Sequence, residues 1–103
     1  MHYLSTRNNK LKESFKKILF QGLSSDGGLF LPSEWPSINI NELRDKTYQQ
    51  TAHQILYPYL KDNITTNDLD KIIHDSYKNF TNNKIAPIVN LEDNKYILEL
   101  FYG

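Results

Sequence analysis

The sequence predicts a small single-domain α+β fold: about three helices packed on short strands and closed by a C-terminal β-hairpin. Three observations lead there. Apolar residues recur at helical spacing in three separate segments, and two β-rich apolar runs flank a polar turn near the end of the chain. Between the first helix and the remainder lies a glycine turn, Gln21-Gly22-Leu23-Ser24-Ser25-Asp26-Gly27-Gly28-Leu29-Phe30-Leu31-Pro32, which holds three of the four glycines. A length of 103 residues is one domain or a part of a larger protein, with room for a real but modest core.

His2-Tyr3-Leu4-Ser5-Thr6 has the aromatic and β-branched content of a short strand. Arg7-Asn8-Asn9 breaks it with residues suited to a helix N-cap, so the first helix is expected to start there. Leu11, Phe15, Ile18 and Leu19 form its apolar stripe, and Lys12, Glu13, Lys16 and Lys17 face water. Gly22 is placed to close it, with two lysines toward the negative end of the helix dipole. Asp26-Gly27-Gly28 then turns the chain, leaving Asp26 at the tip, and Leu29-Phe30-Leu31 reads as a short edge strand ended by Pro32.

Trp35, between Pro32 and Pro36, is expected to anchor an irregular loop by burying its indole. Asn41 to Arg44 suit a single helical turn. The second helix starts at Thr47, with Gln50 completing a capping box, and carries Tyr48, Ala52, Ile55, Leu56 and Tyr59 on one face. Pro58 lacks a backbone donor and should end or kink its last turn. The third helix has Thr65 and Asp68 as caps, Ile64 and Leu69 as a hydrophobic staple, and a stripe of Leu69, Ile72, Ile73, Tyr77 and Phe80, with Thr81-Asn82-Asn83-Lys84 ending it.

Residues 85–91 and 95–101 read as two strands around Glu92-Asp93-Asn94. The second is apolar at nearly every position, which calls for cover on both faces, and its Glu99 needs a partner. A strand of that kind two residues before Gly103 predicts a truncated chain, an exposed apolar patch near residues 96–102 and some self-association.

Composition narrows the function classes. Twelve Lys and Arg balance twelve Asp and Glu, so the basic field that nucleic acids or anionic membranes attract is missing. The absence of cysteine removes disulfides, thiolate metal sites and a Cys nucleophile, and suits a reducing compartment. No apolar run approaches the roughly 18 residues of a membrane span, and no charged-then-apolar leader opens the chain, so a soluble, cytoplasmic protein is expected. His2, His53 and His74 lack metal-ligand spacing, and no metal is expected. Ser24 and Ser25 lie outside any G-x-S-x-G elbow, and no phosphate-cradling glycine motif or Walker pattern occurs. Motif chemistry alone discloses no reaction.

The ordered set of features nevertheless resembles one family over essentially the whole chain. Tyr3-Leu4-Ser5-Thr6-Arg7 is similar to a Y-x-S-T-R opening; Gln21-Gly22-Leu23, Asp26-Gly27-Gly28-Leu29-Phe30 and Pro32 are similar to a "QGLAPDGGLYVP" segment; Leu98-Glu99-Leu100-Phe101 resembles the start of "LELFHGPTLAFKDFG". These belong to the N-terminal domain of threonine synthase, the pyridoxal-phosphate (PLP) enzyme that turns O-phosphohomoserine and water into threonine and phosphate. Tyr102 departs from the pattern, standing where the family has histidine.

The resemblance implies that residues 1–103 are a cap domain that stops before the lysine holding the cofactor. The remaining PLP-binding domains of the same enzyme would then be its partners, and neither nucleic acid nor membrane is expected as one. No catalytic or cofactor-binding residue is expected in this chain, and the fragment alone is expected to be inactive. In the complete enzyme the implied substrate-binding residues are Ser5, Thr6, Arg7, Asp26, Gly27 and Gly28, with Arg7 contacting an anionic substrate. The alternative is a stand-alone α+β interaction module whose strand Tyr96 to Phe101 docks on another protein. The codons after Gly103 discriminate the two: a Pro-Thr and Ala-Phe-Lys-Asp-like continuation means an enzyme, a stop codon a module.

Overall fold

A computed structural model describes residues 1–103. Strand β1 (Tyr3–Ser5) is the centre of a three-stranded antiparallel sheet, flanked by β2 (Lys12–Glu13) and β3 (Phe30–Pro32). Tyr3 lies opposite Glu13 on one side and Pro32 on the other, and Ser5 lies opposite Phe30. Pro32, which cannot donate to a ladder, sits on an edge strand as expected.

The first helix, α1 (Phe15–Gln21), begins later than the apolar spacing predicts. The Asn8 carboxamide accepts from the Lys10 N–H at 3.0 Å and the Asn8 carbonyl from the Leu11 N–H at 3.1 Å. The residues read as an N-cap therefore make a tight turn, and Lys12 and Glu13 return to pair with β1. Ser14 is the true cap, accepting from the Lys17 N–H. Lys16 and Lys17 consequently occupy the first turn, not the last, where the dipole disfavours them; Lys17 is instead paired with Glu13 at 2.6 Å. Gly22 ends the helix at φ 76° and ψ −73°, and the Leu23 N–H donates to the Gln21 carbonyl, a γ-turn with positive central φ that suits glycine.

After a 3₁₀ turn (Ile40–Leu43) capped by Asn39, helices α2 (Tyr48–Leu60) and α3 (Thr66–Tyr77) pack against each other. Both predicted caps form: Thr47 and Gln50 exchange side-chain to backbone bonds, and the Thr65 hydroxyl accepts from the Asp68 N–H. Pro58 lies inside α2 without ending it. It falls in the last turn, and the Lys61 N–H resumes the ladder on the Tyr57 carbonyl. Helix α3 ends at Tyr77, short of the polar run 81–84.

The core is thin. Its buried apolar residues are Tyr3, Leu69, Ile73 and Ile85, and Leu69 is the most enclosed. Tyr3 joins sheet to helix, its hydroxyl donating to the Tyr59 carbonyl at 2.9 Å. Ile72, expected in the α3 stripe, is half exposed, and Trp35 is exposed instead of anchoring its loop: no other part of the chain folds back over it.

Strands β4 (Ile88–Glu92) and β5 (Lys95–Leu98) form the predicted hairpin, with Glu92 drawn into the ladder opposite Lys95 and Asp93-Asn94 left as the turn. Every residue of both strands is exposed, as are Leu100 and Phe101. The expected apolar patch is present. Glu99 finds its partner in Tyr102, whose hydroxyl donates to it at 2.7 Å; that bond to a carboxylate raises the phenol's pKa.

Between α3 and the hairpin, Ile85 holds φ 64° while the Ala86 N–H donates to the Lys84 carbonyl at 2.7 Å, a second γ-turn of the positive-φ kind. For a β-branched residue this conformation costs about 1–3 kcal/mol. Burial of its side chain contributes about 1.5–3 kcal/mol, so strain and packing nearly offset each other at this one residue.

Candidate functional site

The structure brings all six sequence-predicted site residues together. β1 delivers Ser5, Thr6 and Arg7 to the rim of the small sheet, and the turn after α1 returns Asp26, Gly27 and Gly28 over them. The turn builds itself first: the Ser24 carbonyl accepts from the Gly27 N–H at 2.8 Å, and the Ser24 N–H donates to the Gly28 carbonyl at 2.9 Å. Gly27 takes φ 79°, which a residue with a Cβ rarely adopts.

Docking onto β1 is through polar atoms. The Asp26 carboxylate accepts from the Gly28 N–H at 2.9 Å and from the Ser5 hydroxyl, which lies 2.7 and 2.9 Å from its two oxygens. Ser5 Oγ in turn accepts from the Arg7 N–H at 3.1 Å. Thr6 and Leu29 exchange two bonds: Thr6 N–H to the Leu29 carbonyl (2.8 Å) and Leu29 N–H to Thr6 Oγ1 (2.9 Å). Ser5 and Ser24 are both buried beneath the turn.

These bonds divide the labour among the six residues. The Gly28 N–H, then the Ser5 hydroxyl, hold the Asp26 carboxyl below the usual carboxylate range. Both bonds tie the Asp26 carboxylate to its own turn and to β1, so Asp26 positions the turn. Arg7 is different: Nη1 donates to the Asp26 carbonyl at 3.0 Å and the guanidinium lies against Gly27, yet it forms no ion pair. A guanidinium has five donors, so Arg7 is held in place with most of its donor capacity free. It is the one group here suited to meet an anion.

A depressed folded-state pKa at Asp26 contributes stability that is present above the unfolded carboxyl value and is lost as pH falls through the folded one. Asp26→Asn is therefore expected to lower the melting temperature at pH 7 while narrowing the difference between pH 7 and pH 3. An undiminished acid sensitivity in the variant would remove Asp26 as a source.

Two features had no clear sequence signal. Ser24, a turn residue, is buried, and its side chain adds to the Gly28 and Ser5 bonds that lower the Asp26 pKa; the Ser-x-Asp-Gly-Gly order was its only trace. His53, noted in the sequence only for its lack of metal-ligand spacing, places Nδ1 2.6 Å from Asp70 Oδ1, tying α2 to α3, and stacks on Tyr57 with ring centroids 5.4 Å apart. No group of three metal-ligating side chains assembles anywhere. None of the surface cavities is lined by Ser5, Thr6, Arg7 or the Asp26-Gly27-Gly28 turn. The candidate site is a polar rim with an available arginine, and this chain supplies no opposing wall.

The fold and the rim together define a small α+β domain whose polar, arginine-bearing edge lines none of its surface cavities. Comparison with known proteins makes this specific. Residues 2–77 match the family model described as threonine synthase N terminus, and the chain belongs to that family. Threonine synthase from Pseudomonas aeruginosa is 33% identical over all of this chain, which covers 23% of that protein. The solved PLP-bound threonine synthase from Brucella melitensis is similar with a TM-score of 0.94 and 35% identity, over 100% of this chain and 23% of its own. Yeast threonine synthase is similar with a TM-score of 0.90 and 33% identity, over 99% and 22%. The chain thus spans about a quarter of the length of the relatives it matches and corresponds to their N-terminal part. No helix is long and apolar enough to cross a membrane.

Proposed function

We propose that residues 1–103 are the N-terminal cap of a cytoplasmic, PLP-dependent threonine synthase, a carbon–oxygen lyase that converts O-phosphohomoserine and water into threonine and phosphate. The cap alone neither holds the cofactor covalently nor turns over. One observation carries this reading: the fold agrees over the whole chain with the N-terminal quarter of a PLP-bound threonine synthase, with the glycine-turn and Leu98-Glu99-Leu100-Phe101 motifs in order within it.

The residues present do not fit the cofactor. PLP acts as an electron sink when joined to an amine, and such an amine must be enclosed so that desolvation favours its neutral, nucleophilic form. Every lysine in this chain is exposed. The covalent chemistry therefore belongs to the following, PLP-binding domains, and the exposed apolar side chains of β4, β5 and the end of α1 (Leu19, Phe20) are the surfaces through which the cap meets them.

Within the assembled enzyme the rim faces the entrance to the cofactor cleft. Arg7 meets the anionic substrate through charge-assisted hydrogen bonds; Ser5, Thr6, Asp26, Gly27 and Gly28 set where its guanidinium stands. Losing hydrogen bonds to a charged group costs about 1.5–3 kcal/mol, so Arg7→Ala in the full-length enzyme should raise KM for O-phosphohomoserine about tenfold or more and change kcat less. Asp26→Ala should act in the same direction through Arg7, with a lower melting temperature. Kinetics unchanged in both variants would sink the role of the rim. The cap reading is tested separately: purified residues 1–103 mixed with PLP should show no visible absorbance band of a lysine-bound cofactor and release no phosphate from O-phosphohomoserine.

A further inference from the structure

The hairpin that carries the exposed apolar residues joins the body at one narrow base. On the outgoing side stands Ile85, buried at 8% exposure yet held at φ 64°, with the Ile85 N–H on the Asn82 carbonyl, the Lys84 N–H on the Asn82 side chain and the Ala86 N–H on the Lys84 carbonyl. Pro87 follows and restricts Ala86 to extended backbone, which stiffens the hairpin side of this bend. On the returning side the Tyr102 carbonyl accepts from the Thr81 N–H at 3.0 Å and from its hydroxyl at 3.3 Å, Tyr102 donates to Glu99, and the Glu99 N–H donates to the Pro87 carbonyl at 3.0 Å. Beyond that base, β4 and β5 are exposed along their whole length.

We propose that residues 82–87 are a two-position elbow through which the β4–β5 arm swings, with Ile85 as its catch. In the position described above, burial of the Ile85 side chain holds a backbone conformation that isoleucine otherwise avoids. In the other, Ile85 relaxes to negative φ, its side chain leaves the core and the arm changes direction. Because strain and burial are of the same order, neither position is strongly preferred, and a surface closing on the arm can select one of them. Thr81 and Tyr102 form the latch at the returning end; Thr81 is exposed and lies beyond the end of α3, so the latch can open without disrupting that helix. This inference concerns the chain's own mechanics and holds whether or not the threonine synthase reading does.

The chain has no cysteine, so labels placed by Lys71→Cys on exposed α3 and Asp93→Cys at the hairpin tip are its only ones. Pulsed electron-spin distance measurement on the 103-residue chain should show two populations. Ile85→Ala removes most of the burial and keeps the strain, whereas Ile85→Gly removes both. The relaxed position should therefore be about tenfold more populated, relative to the other, in the alanine variant than in the glycine variant. Identical distributions in the two variants would overturn the elbow. Hydrogen-exchange protection of the Leu69–Ile73 amides reports that the body stays folded. If the Ile85 variants do not fold, Tyr102→Phe, which removes the phenol's contacts with Glu99 and Asn82, decides: it should broaden the distance distribution, and an unchanged one overturns the proposal.

Discussion

Gly28→Ala is expected to detach the Asp26 turn from β1 and lower stability by about 3 kcal/mol or more, the scale of losing hydrogen bonds to a charged group and leaving its partners unpaired. A Cβ at this position would overlap the Ser5 hydroxyl and stand 3.0 Å from Asp26 Oδ1 and 3.1 Å from the Arg7 backbone nitrogen. The backbone and the buried serine cannot retreat, because the same atoms hold the turn. Gly22→Ala is the informative contrast. Its Cβ would meet nothing within 4 Å, and only the positive-φ γ-turn backbone penalises it, by about 1–3 kcal/mol. Thermal melts should therefore rank Gly28→Ala well below Gly22→Ala, with lost hydrogen-exchange protection at Thr6 and Leu29 in the former alone. Equal melting temperatures would mean that the turn is not seated on β1 as described.

Leu69→Ala should be the most damaging truncation in the helical body. Leu69 is 2% exposed and lines, with Phe15, Leu60 and Ile73, the cleft where α1, α2 and α3 meet. Removing a buried leucine side chain costs about 2–5 kcal/mol. A domain of this length has total stability on the order of 5 kcal/mol at the low end of the usual range, and a core of four buried apolar residues points to that end. Urea titration should show the midpoint falling by half or more, or the variant unfolded in buffer. Ile72→Ala, one residue before Ile73 and half exposed, should cost less than half as much. Similar losses for the two would show that the stripe is buried uniformly, contrary to the exposure pattern.

How much of this could be read from the residues depended on the range of the interaction. Caps are local, and Thr47 with Gln50 and Thr65 with Asp68 form as their spacing predicts. So does the Gly22 stop, and so does Pro32 on an edge. The start of α1 was misplaced because Leu11 fits the helical stripe and nothing local announces that Lys12 and Glu13 pair with β1. A strand of two residues is stabilised by its partner, and that partner lies eight or more positions away. The exposure of Trp35 and of half of Ile72 has the same origin: periodicity identifies which side chains seek cover, and only packing reveals whether cover exists.

The candidate site divides in the same way. Residue type and order along the chain were enough for the family and for the apolar character of the last strand, and they singled out the six residues that the fold brings together. The hydrogen bonding within the six is visible only in the fold. Asp26, at the tip of its turn in sequence, is occupied by Gly28 and Ser5, and Arg7, unremarked by spacing, keeps its donors available. The fold also decided that Ile85 bends against its own preference and that Glu99 is answered by Tyr102. Hydrogen-bond saturation and burial are properties of groups brought together from distant parts of the chain, and no local pattern records them.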